Sequence, residues 1–274
     1  MPDIAINGAT LHYESTGEGA QTILFMHGLL WSGEMYGAQI AELSRRYRCV
    51  TFDFRGQGRS EVTAAGYDMD SLFADAVALI ETLGLGVVHA VGLSMGGFVA
   101  MRLAARRPDL VRSLALLETS AEPESPDVIP RYRLLAFVGR WLGLRLVAGR
   151  IMPIMFGRTF LTDPARAAER SAWRERLLRN DRIGIERALD GVVERASVES
   201  ELARIAAPTL VIVGDEDVAT VPARAQRIRD GIAGARLVVI PGAGHSSTIE
   251  QPAAVTAALS AFLDGVAGSG VAAR

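Results

Sequence analysis

Apolar and polar positions along the chain fall into short β-rich runs that alternate with longer amphipathic stretches. Thr22 to Met26, Arg48 to Phe54, Val87 to Val91, Val111 to Leu117, Thr209 to Val213 and Arg236 to Ile240 are brief and strongly apolar, the pattern of strands buried on both faces of a sheet. Helical spacing follows at Met35 to Ser44, Ser71 to Leu83, Met95 to Arg107, Ala223 to Asp230 and Ala253 to Leu263. Strand, crossover helix and strand in succession make a parallel sheet with helices on both faces. Before it, Ile4 to Gly8 and Ala9 to Glu14 read as a hairpin turning at Asn7-Gly8. The alternation breaks once. From Glu118 to about Ala206, turn residues lead into helical patterns at Arg131 to Val147, Ala165 to Arg179 and Ile183 to Arg195, with no convincing strand. The expected division is an α/β core of residues 1–118 and 207–265, a helical insertion over 119–206, and a disordered tail over 266–274.

Composition narrows the class. A chain of 274 residues with 49% hydrophobic residues and a mean hydropathy of +0.22 can bury a sizeable core. No run approaches the roughly 18 uninterrupted apolar residues of a membrane span, and Met1-Pro2-Asp3-Ile4 does not start a secretory signal. The expectation is a soluble, cytoplasmic protein with no membrane partner. Cys49 is the single cysteine and lies in an apolar strand, so it reads as an inert core thiol. With a net charge of -2 and a pI near 6.1, nothing global attracts nucleic acid or anionic lipid. All 29 basic residues are arginine, and Thr119 to Ala206 holds 15 of them against 12 acids, the pattern of a solvated helical surface.

Val91-Gly92-Leu93-Ser94-Met95-Gly96-Gly97 runs from strand to helix through G-x-S-x-G. Gly92 and Gly96 lack the Cβ atoms that would clash at a sharp strand-to-helix turn, so Ser94 would stand exposed above the sheet as a nucleophile. The alternative is an ordinary turn in which the serine caps the helix. A serine nucleophile needs a base, and the base needs a carboxylate. Of four histidines, His12 reads as surface, His89 as structural and His27 as part of a turn. His245, in Pro241-Gly242-Ala243-Gly244-His245, leaves the C-terminal end of the last strand, where ligands bind in open parallel sheets. Val213-Gly214-Asp215-Glu216-Asp217 offers three acids at the same edge; its position favours Asp217, with Asp215 the alternative. An oxyanion would be held by the amide of Met95, at a helix start, and that of Leu29, in the loop after Met26.

The chain resembles the α/β-hydrolase superfamily over nearly all of residues 1 to 265. The resemblance rests on H-G-L-L-W from His27, D-F-R-G-Q-G-R-S from Asp53, G-L-S-M-G-G from Gly92, G-D-E-D from Gly214 and G-A-G-H from Gly242. It implies an α/β-hydrolase fold with residues 119–206 as a helical cap. It also implies Ser94, Asp217 and His245 as catalytic triad, Leu29 and Met95 as oxyanion donors, and a structural Asp53 to Ser60 turn. Within the superfamily the chain is similar to small bacterial aryl esterases, 3-oxoadipate enol-lactonases and cofactor-free perhydrolases. It departs from many of them in placing Pro222 five residues after Asp217 and in following His245 with Ser246 and Ser247.

The expected activity is hydrolysis of small to medium apolar esters or lactones through an acyl-enzyme, with neither cofactor nor metal. Alternatives are enol-lactone or carbon-carbon bond hydrolysis and, in another class, a ligand-binding receptor of the same fold. Ser94 excludes the aspartate-nucleophile chemistries, and Gly17-Glu18-Gly19 lacks the setting of a dinucleotide-binding loop. Four scattered histidines and one cysteine offer no metal-ligand spacing. The apolar residues of the cap exceed one amphipathic face, so Trp31, Phe137, Trp141 and Met155 are candidates to wall an apolar pocket. The oligomeric state is not legible.

Overall fold

The computed structural model describes residues 2–268. In chain order the elements are β1 (Asp3–Ile6), β2 (Ala9–Thr16), β3 (Thr22–Met26), α1 (Gly37–Leu43), β4 (Arg48–Phe52), α2 (Met69–Thr82), β5 (Val88–Leu93), α3 (Met95–Arg106) and β6 (Val111–Leu117). Five helices follow, α4 (Ile129–Leu142), α5 (Leu144–Met155), α6 (Arg158–Thr162), α7 (Ala167–Leu178) and α8 (Arg182–Val193). The chain then returns through β7 (Thr209–Gly214), α9 (Pro222–Gly231), β8 (Arg236–Ile240), α10 (Ser247–Glu250) and α11 (Pro252–Gly268).

The strands form one sheet in the order β1-β2-β4-β3-β5-β6-β7-β8. β1 and β2 pair antiparallel, as does β2 with β4, and all pairings from β4 to β8 are parallel. Side chains of β3 alternate across the sheet: Ile23 and Phe25 join a core with Leu43 of α1 and Leu259 of α11, while Leu24 and Met26 pack with Leu72 of α2 and Val99 of α3. Every residue of β3, β5 and β7 is buried, which explains their nearly continuous apolar sequences. From β3 the chain crosses to β4 on one side and to β5 on the other. That reversal opens a crevice beyond the strand ends, so the loops after β3 and β5 face one another there.

The structure departs from the sequence reading in four places. The helix expected over Arg131 to Val147 is two helices, because Gly143 takes φ 104, ψ 145, a conformation closed to side-chain-bearing residues, and turns the chain between α4 and α5. Short helices α6 and α10 escape a periodicity reading because neither completes two turns. His12 is buried rather than on the surface: the turn after β4 lies over β2, where Ser60 Oγ accepts the His12 amide at 2.9 Å. Finally, α11 extends to Gly268, so residues 266–268 of the expected disordered tail are helical, and 269–274 lie outside the described residues.

Glu118, at the end of β6, is fully buried with φ 40. Neither carboxyl oxygen closes a well-formed hydrogen bond among the described residues. Burial, reinforced by the charge of Asp217, pushes its pKa well above the ordinary 4.5, so the folded chain holds this proton at pH values where the unfolded chain has released it. The stabilisation from the protonated group is complete below about 4.5 and is lost as pH rises towards the folded pKa. Glu118→Gln cannot ionise in either state, so its Tm is expected to fall less than that of the wild type between pH 5 and pH 8. Parallel Tm curves would show that Glu118 ionises as readily folded as unfolded.

Candidate active site

At the end of β5 the backbone of Ser94 takes φ 52, ψ -113, a conformation disfavoured for a residue with a side chain. Glycines on either side permit it. A Cβ on Gly92 would lie 2.4 Å from the Gly96 carbonyl oxygen, and one on Gly96 would lie 2.0 Å from that of Met26. The Ser94 amide donates to the Leu117 carbonyl at 2.9 Å, and its carbonyl accepts from the Phe98 amide and the Thr119 hydroxyl. Its side chain makes no capping bond to α3, which removes the helix-cap reading of this serine. Instead Oγ lies 2.9 Å from Nε2 of His245.

His245 follows β8, and its Nδ1 lies 2.9 Å from Oδ2 of Asp217, which follows β7. A carboxylate only accepts, so the partners assign the imidazole proton to Nδ1 and leave Nε2 to accept from the Ser94 hydroxyl. Asp217 is fixed from its other side by the amides of Ala219 and Thr220 and by the Thr220 hydroxyl. Burial opposes its ionisation, but the charge and hydrogen bond of His245, with the bonds from Thr220, outweigh burial and hold its pKa below 3.8. Burial likewise opposes protonation of His245, and the Asp217 charge overcomes it, raising the pKa above 6.5. The other two acids of this loop turn elsewhere: Asp215 accepts the Gly242 amide at 2.7 Å, and Glu216 binds Thr159.

Glu250 was not singled out in the sequence, yet it ties the histidine loop together. Its oxygens accept the amides of Gly157, Gly244 and Ser246, and burial raises its pKa to about 7 against the effect of those bonds. Gly244 and Ser246 precede it closely, but the role as a tie appears only when Gly157 arrives from the turn between α5 and α6. Thr220, three residues after Asp217, was also not singled out, although its contacts to that carboxylate are local.

The loop after β3 faces Ser94 from across the crevice. A Cβ on Gly28 would lie 3.4 Å from Cβ of Ser94, so the glycine lets this backbone close in. The amides of Leu29 and Met95 have no hydrogen-bond acceptor among the described residues. The Asp53 to Ser60 turn braces this loop: Gln57 Oε1 accepts the Leu30 amide at 2.8 Å, and Asp53 accepts those of Gly33 and Arg59. His27 donates from Nδ1 to the Gly28 carbonyl and accepts the Phe54 amide at Nε2, with its pKa lowered by burial. It is a neutral brace. His89 bonds Ser113 and Gln21 inside the sheet.

Above Ser94 and His245 lies a cavity of about 110 Å³, roofed by α4, α5 and α8. Met155 lines it as expected, together with Leu135, Leu144, Ile151, Ile185 and Leu189. The other three candidate wall residues do not. Trp31 is buried to the side, donating to Ser246 Oγ and packing on Phe156 and Trp173. Phe137 and Trp141 point outward, 58% and 62% exposed, because α4 turns Leu135 and Gly139 inward. The signal for the true lining was the Leu144, Ile151, Met155 stripe on α5. Charged groups at the cavity are mostly paired: Glu124 with Arg195 and Arg224, and Arg140 with Glu186. Arg182 makes no ion pair among the described residues.

This geometry can be set beside known proteins. The sequence is 31% identical to the "Putative non-heme bromoperoxidase BpoC" of Mycobacterium tuberculosis, over 93% of this chain and 98% of that protein. The crystal structure of the enol-lactonase from Burkholderia xenovorans LB400 matches with a TM-score of 0.90 at 32% identity, over 96% of this chain and 100% of the other. A thermophilic esterase from Thermogutta terrifontis matches with a TM-score of 0.89 at 30% identity, over 97% and 99% of the two chains. The family description of the alpha/beta hydrolase fold matches residues 21–252, and with an eight-stranded, mostly parallel sheet between two helical layers, the chain belongs to the α/β-hydrolase family.

Proposed function

We propose that the protein is a serine hydrolase that cleaves small to medium apolar carboxylic esters or lactones. The observation that carries this reading is the unbroken hydrogen-bonded line from the Ser94 hydroxyl through His245 to Asp217, 2.9 Å at each step. Ser94 Oγ attacks the carbonyl carbon while His245 Nε2 takes its proton. The negative charge arising on the carbonyl oxygen is met by the Leu29 and Met95 amides, the latter at the positive end of α3. Each such donor contributes a rate factor of about a hundred to a thousand. As the tetrahedral adduct collapses, the carbon–oxygen bond to the alcohol breaks, and the leaving oxygen takes the proton from His245. The acyl group stays on Ser94. Water, giving a proton to the same imidazole, then attacks the acyl-enzyme and releases the acid. Asp217 remains ionised throughout and stabilises the imidazolium.

The cavity supports a small apolar acyl group: Leu135, Leu144, Ile151, Ile185 and Leu189 line it, and its volume is below the roughly 150 Å³ that accommodates benzene in an apolar protein cavity. The names of the esterase and enol-lactonase relatives agree with this class. One observation favours a second reading, a lactone bearing a carboxylate: Arg182 lines the cavity and makes no ion pair among the described residues.

Ser94→Ala is expected to lower turnover of p-nitrophenyl butyrate by about a thousandfold or more with the fold intact by circular dichroism. A variant retaining a tenth of the wild-type rate would remove Ser94 as nucleophile.

His245 must be neutral to accept the serine proton, and its pKa lies above 6.5. kcat/KM is therefore expected to fall about tenfold per pH unit on the acid side of a midpoint above 6.5. Asp217→Asn removes the charge that raises this pKa, so the midpoint should move down while the rate drops by about ten-thousandfold. Asp215→Asn should cost only a few-fold, since Asp215 is exposed and bonds Gly242. The opposite ranking would make Asp215 the triad acid.

Across acetyl to dodecanoyl esters, kcat/KM should rise with each buried methylene, worth about 0.8 kcal/mol, peak at short to medium length, and fall once the roof is met. A strong preference for an enol-lactone carboxylate over every ester, lost in Arg182→Ala, would establish the second reading instead.

A further inference from the structure

The outer surface of the cap carries an apolar patch that neither the fold nor the proposed chemistry uses. Leu134, Phe137, Trp141 and Leu142 of α4 and Leu146 of α5 are 57 to 66% exposed, although large apolar side chains on a helical surface are ordinarily turned inward. They account for five of the eight large exposed apolar residues among the described residues. From Pro130 to Phe156 the chain holds five arginines and no acid. Two of these arginines are paired with α8, Arg133 with Glu194 and Arg140 with Glu186, and Arg140 also lies over the Trp141 ring. Arg131, Arg145 and Arg150 are exposed and make no ion pair among the described residues.

The geometry points to this face as a docking surface for an anionic lipid bilayer. α4 and α5, with 14 and 12 residues, are too short to cross a membrane, and no helix among the described residues is long and apolar enough to do so. They have instead the make-up of helices that lie in the headgroup layer, with Trp, Phe and Leu directed into the acyl boundary and arginines beside the phosphates. Charge decides against a second copy of this chain. A two-fold contact through the patch would bring the exposed arginines of both copies, Arg131, Arg145 and Arg150, onto one shared interface with no acid on either helix to separate them. An anionic headgroup layer supplies the missing countercharge, and its interior accepts the apolar side chains.

Docking in this way bears on substrate access. The inward faces of the same two helices, through Leu135, Leu144, Ile151 and Met155, line the cavity above Ser94. The cap would then rest on the layer in which apolar esters accumulate. Binding itself does not depend on the serine chemistry, so its test stands apart from that of the proposed function.

Flotation of the intact protein with vesicles of phosphatidylcholine, alone or mixed with phosphatidylglycerol, tests the assignment, with Trp141 fluorescence as a second readout. Trp31 is buried, whereas Trp141 is 62% exposed, so insertion should shift the emission to the blue. The wild type should float with the phosphatidylglycerol vesicles, stay in solution with phosphatidylcholine alone, and detach at high salt. Leu134→Ser/Leu142→Ser/Leu146→Ser and Arg131→Glu/Arg145→Glu/Arg150→Glu should each weaken binding by about tenfold or more. Both variants should keep wild-type Tm and turnover of soluble p-nitrophenyl butyrate. Absence of flotation, equal flotation with both vesicle types, or full binding by either variant would overturn the proposal. So would a dimer in gel filtration that the leucine variant dissociates, or retention only by an acidic protein, since the face would then be a protein interface.

Discussion

The close backbone approach around Ser94 is the constraint on which the site depends. With carbonyl oxygens 2.0 Å and 2.4 Å from where Cβ atoms would stand on Gly96 and Gly92, α3 can begin directly against the ends of β3 and β5. The serine pays for this in backbone strain, on the order of 1–3 kcal/mol. Three hydrogen bonds, to Leu117, Phe98 and Thr119, hold the strained residue in place. Because β3 and β5 are adjacent parallel strands whose following helices pack on opposite faces of the sheet, that placement also brings the loop carrying Leu29 opposite the Met95 amide. One local contact thus orients the Ser94 hydroxyl, the helix end and the facing loop together.

Around this point the fold buries Asp217, Glu250 and Glu118, with Glu124 paired to arginines at the cavity wall, and their environments divide the charge. Asp217 receives two amides, a hydroxyl and the ring N–H, enough to outweigh burial and keep it ionised. Glu250 receives three amides but no cation, and burial leaves its pKa at about 7. Glu118 closes no well-formed hydrogen bond among the described residues, and burial pushes its pKa well above the ordinary value. Were Glu118 ionised as readily as Asp217, His245 would sit among competing negative charges. The graded supply of donors gives the imidazole one strong anionic partner, which also fixes its tautomer.

What the sequence made legible is what local residues determine. The elbow depends on Gly92 and Gly96, the histidine turn on Gly242 and Gly244, and the strands on continuous apolar runs, so each could be read where it stands. Loop position favoured Asp217 over Asp215, but the contact of Asp217 with His245 depends on how two neighbouring loops meet, which no spacing records. His12 was misplaced because the turn that covers it arrives 48 residues later, through Ser60. The cap was the least legible part. On α4 both Leu135 and its neighbour Leu134 suit an apolar face, and hydropathy cannot decide which of two apolar stripes turns inward. Gly139 and the break at Gly143 decide it, by letting α5 pack close on one side of α4.

That ambiguity is itself informative. A helix selected only to roof a cavity needs one apolar face and gains solubility from a polar opposite face. α4 has apolar residues on both, and the outer face keeps arginines while excluding acids. A net charge of -2 for the whole chain conceals this, since the acids lie elsewhere in the sequence. The two faces answer to different constraints. Inward residues such as Leu135 and Met155 set what fits above Ser94, and outward residues such as Trp141 set which surface the cap meets. Because the two sets share a backbone but no side chains, changes on one face need not disturb the other, and substrate fit and surface attachment can vary independently within one pair of helices.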